Sequence, residues 1–178
     1  MKLNLEERIN LHRRMAESYF NAYSKKAVKD GATYEEWKFS DDATYWSPYF
    51  GNELINLKTN PISVSKSAMM EAKAYSEIFP DWGPVDFNCW PSDIGFVMKT
   101  KFAGHTKEGK EMSFFAYGFV ETNEEGEIIH WETHVSEDYS AFLEVAIGVR
   151  VPFRENAQVY MEAVAKALAR AGVNISLF

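Results

Sequence analysis

The chain holds one cysteine, Cys89, among 178 residues. A lone cysteine forms no intrachain disulfide and no cysteine-based zinc site. Basic residues are scattered rather than gathered, and 19 Lys and Arg against 26 Asp and Glu leave a net charge of −7. A phosphate backbone is bound through a basic patch that displaces counterions, so nucleic acid is not an expected partner. No apolar run approaches the roughly 20 residues that span a bilayer. The stretch Met1-Lys2-Leu3-Asn4-Leu5-Glu6-Glu7 lacks the apolar core of a signal peptide. These absences lead to the expectation of no membrane association and a cytoplasmic location. There is no Gly-rich phosphate loop, internal repeat, low-complexity stretch or linker, and one domain over 1–178 is expected.

What the chain does have is aromatic residues: 13 Phe, 9 Tyr and 5 Trp, or 15% of the sequence. Apolar residues make up 46%, too many for disorder. Aromatic rings stiffen cores, and in this quantity they also suit a pocket that grips a flat ligand.

Residues 5–29 have the spacing of an amphipathic helix, with Leu5, Ile9, Ala16, Phe20, Tyr23 and Ala27 on one stripe and Asp30-Gly31 as a stop. A short helical turn over Tyr34-Glu35-Glu36-Trp37 precedes a strand from Phe39 to Ser47, which Ser47-Pro48 ends. The segment 51–61 reads as loop. Ser63 or Ser65 caps a helix running to about Phe79. Strands are expected at Val85–Trp90, Ile94–His105, Glu111–Glu121 and Glu127–Ser136, which are rich in β-branched and aromatic residues. Thr106-Lys107-Glu108-Gly109 and Asn123-Glu124-Glu125-Gly126 join the last three as hairpins. Helices at 139–147 and 154–171 close the chain, the second with Tyr160, Val164, Leu168 and Ala171 in a stripe. Helices followed by consecutive hairpins specify an α+β fold.

The long first helix, Phe79-Pro80-Asp81-Trp82, Gly104-His105-Thr106, and Gly126-Glu127-Ile128 leading to Trp131-Glu132 together resemble polyketide cyclases of the SnoaL type. Within that group the phenazine biosynthesis A/B proteins are the most similar, through the helix ending in Phe-Pro-Asp-Trp. The resemblance spans residues 5–145. It implies the nuclear transport factor 2-like fold, a cone-shaped α+β barrel whose curved antiparallel sheet wraps around N-terminal helices. That fold serves ketosteroid isomerase, scytalone dehydratase, limonene epoxide hydrolase, a bile-acid dehydratase, a deformylating diarylpropane lyase and plain binding modules, so it does not select the reaction.

Side chains alternate across a strand, so Ile129, Trp131, Thr133 and Val135 share one face, and His130, Glu132 and His134 share the other. With the second turn centred between Glu124 and Glu125, Glu132 lies opposite Tyr117 and His134 opposite Phe115; with the first centred at Glu108, Tyr117 lies opposite Lys99. One face then carries Lys99, Tyr117 and Glu132, with Phe115, Phe119, His130, His134 and His105 nearby. A carboxylate, a phenol and imidazoles beside aromatic walls are the materials of general acid–base chemistry. The same face also reads as solvated, or as a dimer interface. His12 is read as structural.

On a strand, His130 and His134 stand roughly 13 Å apart at about 3.3 Å per residue, too far for one ion to take both. Glu132 with one of them and His105 stays open as a metal site, but no metal and no cofactor are expected.

The function expected is a cofactor-independent lyase, eliminating water or formaldehyde from a small hydroxylated aromatic compound, with double-bond migration by an isomerase, or cyclase chemistry, also open. Glu132, His134 and Tyr45 are the candidate bases, with Tyr117 and His105 as proton donors. Tyr34, Trp46, Trp90, Lys99, Phe115 and Phe119 are the candidate substrate contacts. Asp41, Asp42 and Asp81 each have surface, capping or turn explanations. The alternatives are a small-molecule binding module and a dimerisation domain of the same fold. By the resemblance, a homodimer or homotrimer is expected, with 141–178 covering the pocket mouth or joining an interface.

Overall fold

The computed structural model describes residues 2–24, 34, 36–49, 54–57, 64–151 and 157–172, with the side chains of 64–69, 157 and 158 outside that description. Its elements are α1 (Leu5–Ala22), β1 (Phe39–Trp46), β2 (Ile55–Asn56), α2 (Val64–Ser76), β3 (Gly83–Pro91), β4 (Gly95–His105), β5 (Glu111–Thr122), β6 (Ile128–Val135), α3 (Asp138–Ile147) and α4 (Ala157–Arg170). The strands form one sheet in the order β2-β1-β6-β5-β4-β3, in which β1 runs parallel to β6 and every other pairing is antiparallel. The sheet is curved and unclosed, with helices against its inner face, giving an α+β fold.

Helix α1 opens with a capping box. The Asn4 side chain accepts from the Glu7 N–H at 3.0 Å, and the Glu7 carboxylate accepts from the Asn4 N–H at 2.8 Å. Its buried face is His12, Met15, Ala16, Tyr19 and Ala22, rotated from the expected stripe. Leu5 is exposed, and the expected stop at 30–31 and Ala27 lie outside the described residues. His12 is fully buried: its Nδ1 donates to the Ser92 carbonyl at 2.8 Å, so its Nε2 accepts from the Thr122 hydroxyl at 2.7 Å. Burial lowers its pKa, and the neutral tautomer pins α1 to the β3–β4 turn and to the end of β5.

The expected helical turn at 34–37 is instead one tight turn, closed by Trp37 N–H on the Tyr34 carbonyl at 3.4 Å with Glu36 at φ 68°. Glu35 lies outside the described residues. Within 51–61, read as loop, Ile55–Asn56 pairs with Thr44 and Tyr45 as a short edge strand. Ser63 lies outside the described residues, and Ser65 falls inside α2. Along α4, Tyr160, Val164, Ala167 and Leu168 are buried, while Ala171 is exposed.

The β4–β5 register places Lys99 opposite Tyr117, as the first turn dictates. The β5–β6 register differs from expectation by two residues: Glu132 faces Phe119, and His134 faces Tyr117. One residue of the shift comes from the turn, which centres on Glu125 with the Asn123 N–H on the Glu127 carbonyl, and one from a bulge. Thr122 pairs with Ile128 but Glu121 pairs with His130, so Ile129 is an extra residue. It is pushed outward, 38% exposed, and Ile128 takes the core position at 0%. Ile129 therefore leaves the face expected for it, while Trp131, Thr133 and Val135 keep theirs.

The residues that carry the family resemblance form a clamp at one end of the sheet. A Cβ on Gly104 would stand 2.9 Å from Phe79 Cβ and 3.1 Å from Trp82 Cα, so only glycine lets the Phe79–Trp82 turn lie against β4. Asp81 then accepts from the His105 backbone N–H at 2.7 Å and contacts its Nδ1 at 2.8 Å. Behind the clamp, Trp82 stacks on Phe102 at 5.1 Å and Phe79 on Phe142 at 4.7 Å.

Candidate active site

Between the inner sheet face and the helices lies a cavity of about 320 Å³. Each surrounding element contributes because its inward residue is aromatic. Helix α1 supplies Tyr19 and Tyr23; the segment before β1 supplies Tyr34; β1 and its end supply Tyr45, Ser47 and Tyr49. Trp131, Thr133 and Val135 enter from β6, and Phe114 and Ala116 from β5. Helices α2, α3 and α4 close it with Glu71 and Tyr75, Tyr139, and Tyr160 with Val164. Eight of the nine tyrosines line this space; the exception is Tyr117.

Among the described lining residues Glu71 is the one carboxylate, and there is no Lys, Arg or His. Burial pushes its pKa up to about 7, against the opposing pull of a hydrogen bond from the Tyr160 hydroxyl. That hydroxyl donates to Glu71 Oε1 at 2.5 Å. Tyr160 lies 3.2 Å from the Tyr75 hydroxyl, which lies 3.3 Å from that of Tyr139. Each phenol has a single O–H. With Glu71 ionised and Tyr160 donating to it, Tyr75 donates to Tyr160 and Tyr139 donates to Tyr75. Three helices thus aim a polarised chain of hydroxyls at one carboxylate. Burial also raises the pKa of Tyr19, Tyr23, Tyr34, Tyr75, Tyr139 and Tyr160, and moves Tyr45 up to about 12. Near neutral pH the phenols are neutral, and Glu71 divides between acid and base.

Of the residues singled out from sequence, Tyr34 and Tyr45 line this cavity. Trp46, Trp90, Lys99, Phe115, Tyr117, Phe119, Glu132 and His134 do not, which corrects their expected placement around one pocket. They lie together on the outer face, where cross-strand register aligns Trp90, Val97, Phe119, Glu132 and Trp46 in one row. Apart from Ile129 the alternation of β6 was sorted correctly; the helices cover the other side. On the outer face Glu132 contacts His134 and stands 4.0 Å from His130, whose Nδ1 meets the Thr44 hydroxyl at 2.8 Å. The His134 ring sits between Trp46 and Phe119, 5.8 and 5.9 Å away, and the Lys99 ammonium lies 4.3 Å from the Phe115 ring centre. His105 belongs to neither group and is held by Asp81 at the end of β4. Among the described residues, no three His, Cys, Asp or Glu side chains are arranged to hold a metal ion.

Glu71, Tyr75, Tyr139 and Tyr160 were missed. One signal was available: Glu71 and Tyr75 stand four residues apart, so the carboxylate shares a helix face with a large aromatic, and Phe79 follows at the same step just past the helix end.

No family model and no curated protein matches the chain. Solved structures do. A phenazine biosynthesis-related protein from Pseudomonas aeruginosa is 15% identical over 83% of this chain and 93% of its own, with a TM-score of 0.43. A nuclear transport factor 2-like protein of unknown function from Cytophaga hutchinsonii is 16% identical over 72% and 99%, with a TM-score of 0.48. A SnoaL-like protein from Jannaschia sp. CCS1 is 10% identical over 76% and 93%, with a TM-score of 0.42. At such identities and TM-scores these neighbours bring no family, activity, substrate or partner to this chain.

Proposed function

We propose that the chain is a cofactor-independent enzyme acting by general acid–base catalysis on a small hydroxylated aromatic molecule, with Glu71 as the base. One observation carries this reading: a lone carboxylate, poised near neutrality by burial and one phenol, opens onto a cavity walled by aromatic rings. A base is most effective when its pKa lies close to the working pH, and Glu71 meets that condition.

For a lyase the steps are these. Glu71 takes a proton from a substrate carbon or hydroxyl. Tyr45, on the facing strand and the least acid-weakened of the buried phenols whose pKa is raised, protonates the departing oxygen. Water leaves and a double bond remains; the proton held by Glu71 returns to the Tyr45 phenolate, the stronger base of the two, before the next turnover. The same base serves retro-aldol loss of formaldehyde, by removing a hydroxyl proton, or migration of a double bond. The rings hold the substrate plane and keep bulk water away from the carboxylate.

Turnover of hydroxylated aromatic compounds, diaryl diols included, by metal-stripped protein followed by mass spectrometry tests the proposal. Products lighter by water or formaldehyde, lost in Glu71→Gln, support a lyase centred on this cavity. Turnover that survives in Glu71→Gln refutes it. Tight binding without any product supports the binding-module alternative.

A further inference from the structure

The cavity's polarity narrows its ligand beyond being aromatic. Five of its hydroxyl donors are already engaged within the wall. Tyr160 donates to Glu71, Tyr34 to the Tyr23 oxygen at 3.0 Å, and Tyr49 to the Val135 carbonyl at 3.1 Å, while Tyr75 and Tyr139 share the chain that ends at Glu71. The indole N–H groups of Trp82 and Trp131 are buried and have no hydrogen-bond partner among the described residues. What remains for a ligand is the Tyr45 hydroxyl, the π-faces and Glu71, which is the one group among the described lining residues that carries charge near neutral pH. Glu71 uses Oε1 for Tyr160, and among the described residues no ion pair or hydrogen bond occupies its Oε2.

We infer that this cavity takes an organic cation: a protonated or methylated amine attached to an apolar body, seated against the tyrosine rings with its charge beside Glu71. An ammonium over an aromatic face gains about 0.5–2 kcal/mol per well-placed ring, most when water is excluded. The carboxylate adds an opposite charge in a medium of lower dielectric than water. A neutral molecule of the same shape has neither attraction and further desolvates Glu71. An anion meets the negative ring faces and the carboxylate together. The inference rests on the reading that the Glu71 cavity is the substrate site, and it deepens it. A cationic substrate would ionise Glu71 on arrival and so switch on the base.

The groups that face Glu71 are phenols from every surrounding element: Tyr19 of α1, Tyr45 of β1, Tyr75 of α2, Tyr139 of α3 and Tyr160 of α4. All stay neutral below pH 9, so between pH 6 and 8 Glu71 is the group among the described lining residues that changes charge. Cation affinity should therefore fall as pH drops through about 7.

The experiment compares benzyltrimethylammonium, its carbon isostere neopentylbenzene and the anion phenylmethanesulfonate, using tryptophan fluorescence and calorimetry on the full chain. At pH 8 the cation is expected to bind at least tenfold more tightly than the isostere, with the anion weakest. Lowering the pH to 6 should weaken the cation about tenfold and leave the isostere unchanged or slightly tighter. Glu71→Gln should erase the preference, and Glu71→Asp should retain part of it. Equal or tighter binding of the isostere by the unmodified chain at pH 8 overturns the inference, as does a cation preference that survives in Glu71→Gln. Because the wild-type ranking and its pH dependence stand alone, a variant that fails to fold leaves the test intact. Loss of turnover in Glu71→Gln with no preference for cations would discard the charge assignment and keep the acid–base reading; cation binding without turnover would do the reverse.

Discussion

Glu71 sits where a helix would ordinarily present an apolar side chain, and the cost of that choice is measurable. Its folded pKa, about 7, lies above its ordinary 4.5. The native state therefore holds the proton more tightly than the unfolded chain does. Stability attributable to this group is intact below pH 4.5 and falls as pH rises from there through 7. The loss is at most on the order of 3 kcal/mol by pH 8. Glu71→Gln keeps an acceptor for Tyr160 and removes the charge. It should raise the melting temperature at pH 8, change it little at pH 4.5, and lower turnover by about 10²–10⁴-fold. A variant that melts earlier than wild type at pH 8 would contradict the buried-charge account. Tyr160→Phe separates positioning from packing. Without the hydroxyl that favours the ionised form, the Glu71 pKa should rise further, and the acid limb of the pH–rate profile should move upward with it. An unshifted profile would reduce Tyr160 to a wall residue.

At the scale of elements, two local devices decide what the sheet presents. The bulge at Ile129 resets the phase of β6, so that Ile128 and Trp131, three apart, both face the core. Deleting Ile129 removes the extra residue and forces either the Ile128 or the Trp131 side outward. The expected result is loss of cooperative unfolding, followed by circular dichroism; a fully cooperative melt would count against the bulge. The Asp81–His105 clamp carries a pH signature instead. Hydrogen bonds from His105 hold Asp81 below its ordinary pKa, and Asp81 holds His105 above its own. The carboxylate's contribution is present above pH 3.8 and lost as pH falls through its lowered folded pKa; the imidazole's is present below 6.5 and lost as pH rises through its raised one. Asp81→Ala should thus lower the melting temperature most between pH 4 and 6.5 and less at pH 9. An equal shift at all three would assign the clamp to the backbone hydrogen bond alone.

The whole molecule presents two chemically distinct faces of one sheet, and the sequence reading merged them. Glu132→Gln separates them: activity within about twofold of wild type is expected, since the cavity lies across the sheet from Glu132. A loss as large as that of Glu71→Gln would return the chemistry to the outer strand. Trp90 and Phe119 stand half-exposed on that outer face, and the expectation of a homodimer or homotrimer can be examined there. Phe119→Lys should reduce the mass seen by light scattering if this face joins subunits; an unchanged oligomer would place the interface elsewhere.

The sequence by itself determined most of the elements and the β4–β5 pairing, while the short strand β2 and the β5–β6 register escaped it. Period-two and period-four patterns placed the helices and strands, turn residues set the β4–β5 register to the residue, and Phe79-Pro80-Asp81-Trp82 with Gly104-His105 marked the clamp. It also sorted β6 into two faces, because alternation is a property of a single strand. Which face would enclose the cavity was decided only in three dimensions, since it depends on where four helices pack. The bulge was likewise invisible, because an extra residue is defined only against its partner strand. Glu71 and Tyr160 lie 89 residues apart. Neither has a perturbed carboxylate or a hydroxyl chain until α2 and α4 bring them together, because desolvation and a hydrogen bond are properties of the assembled site and not of either residue.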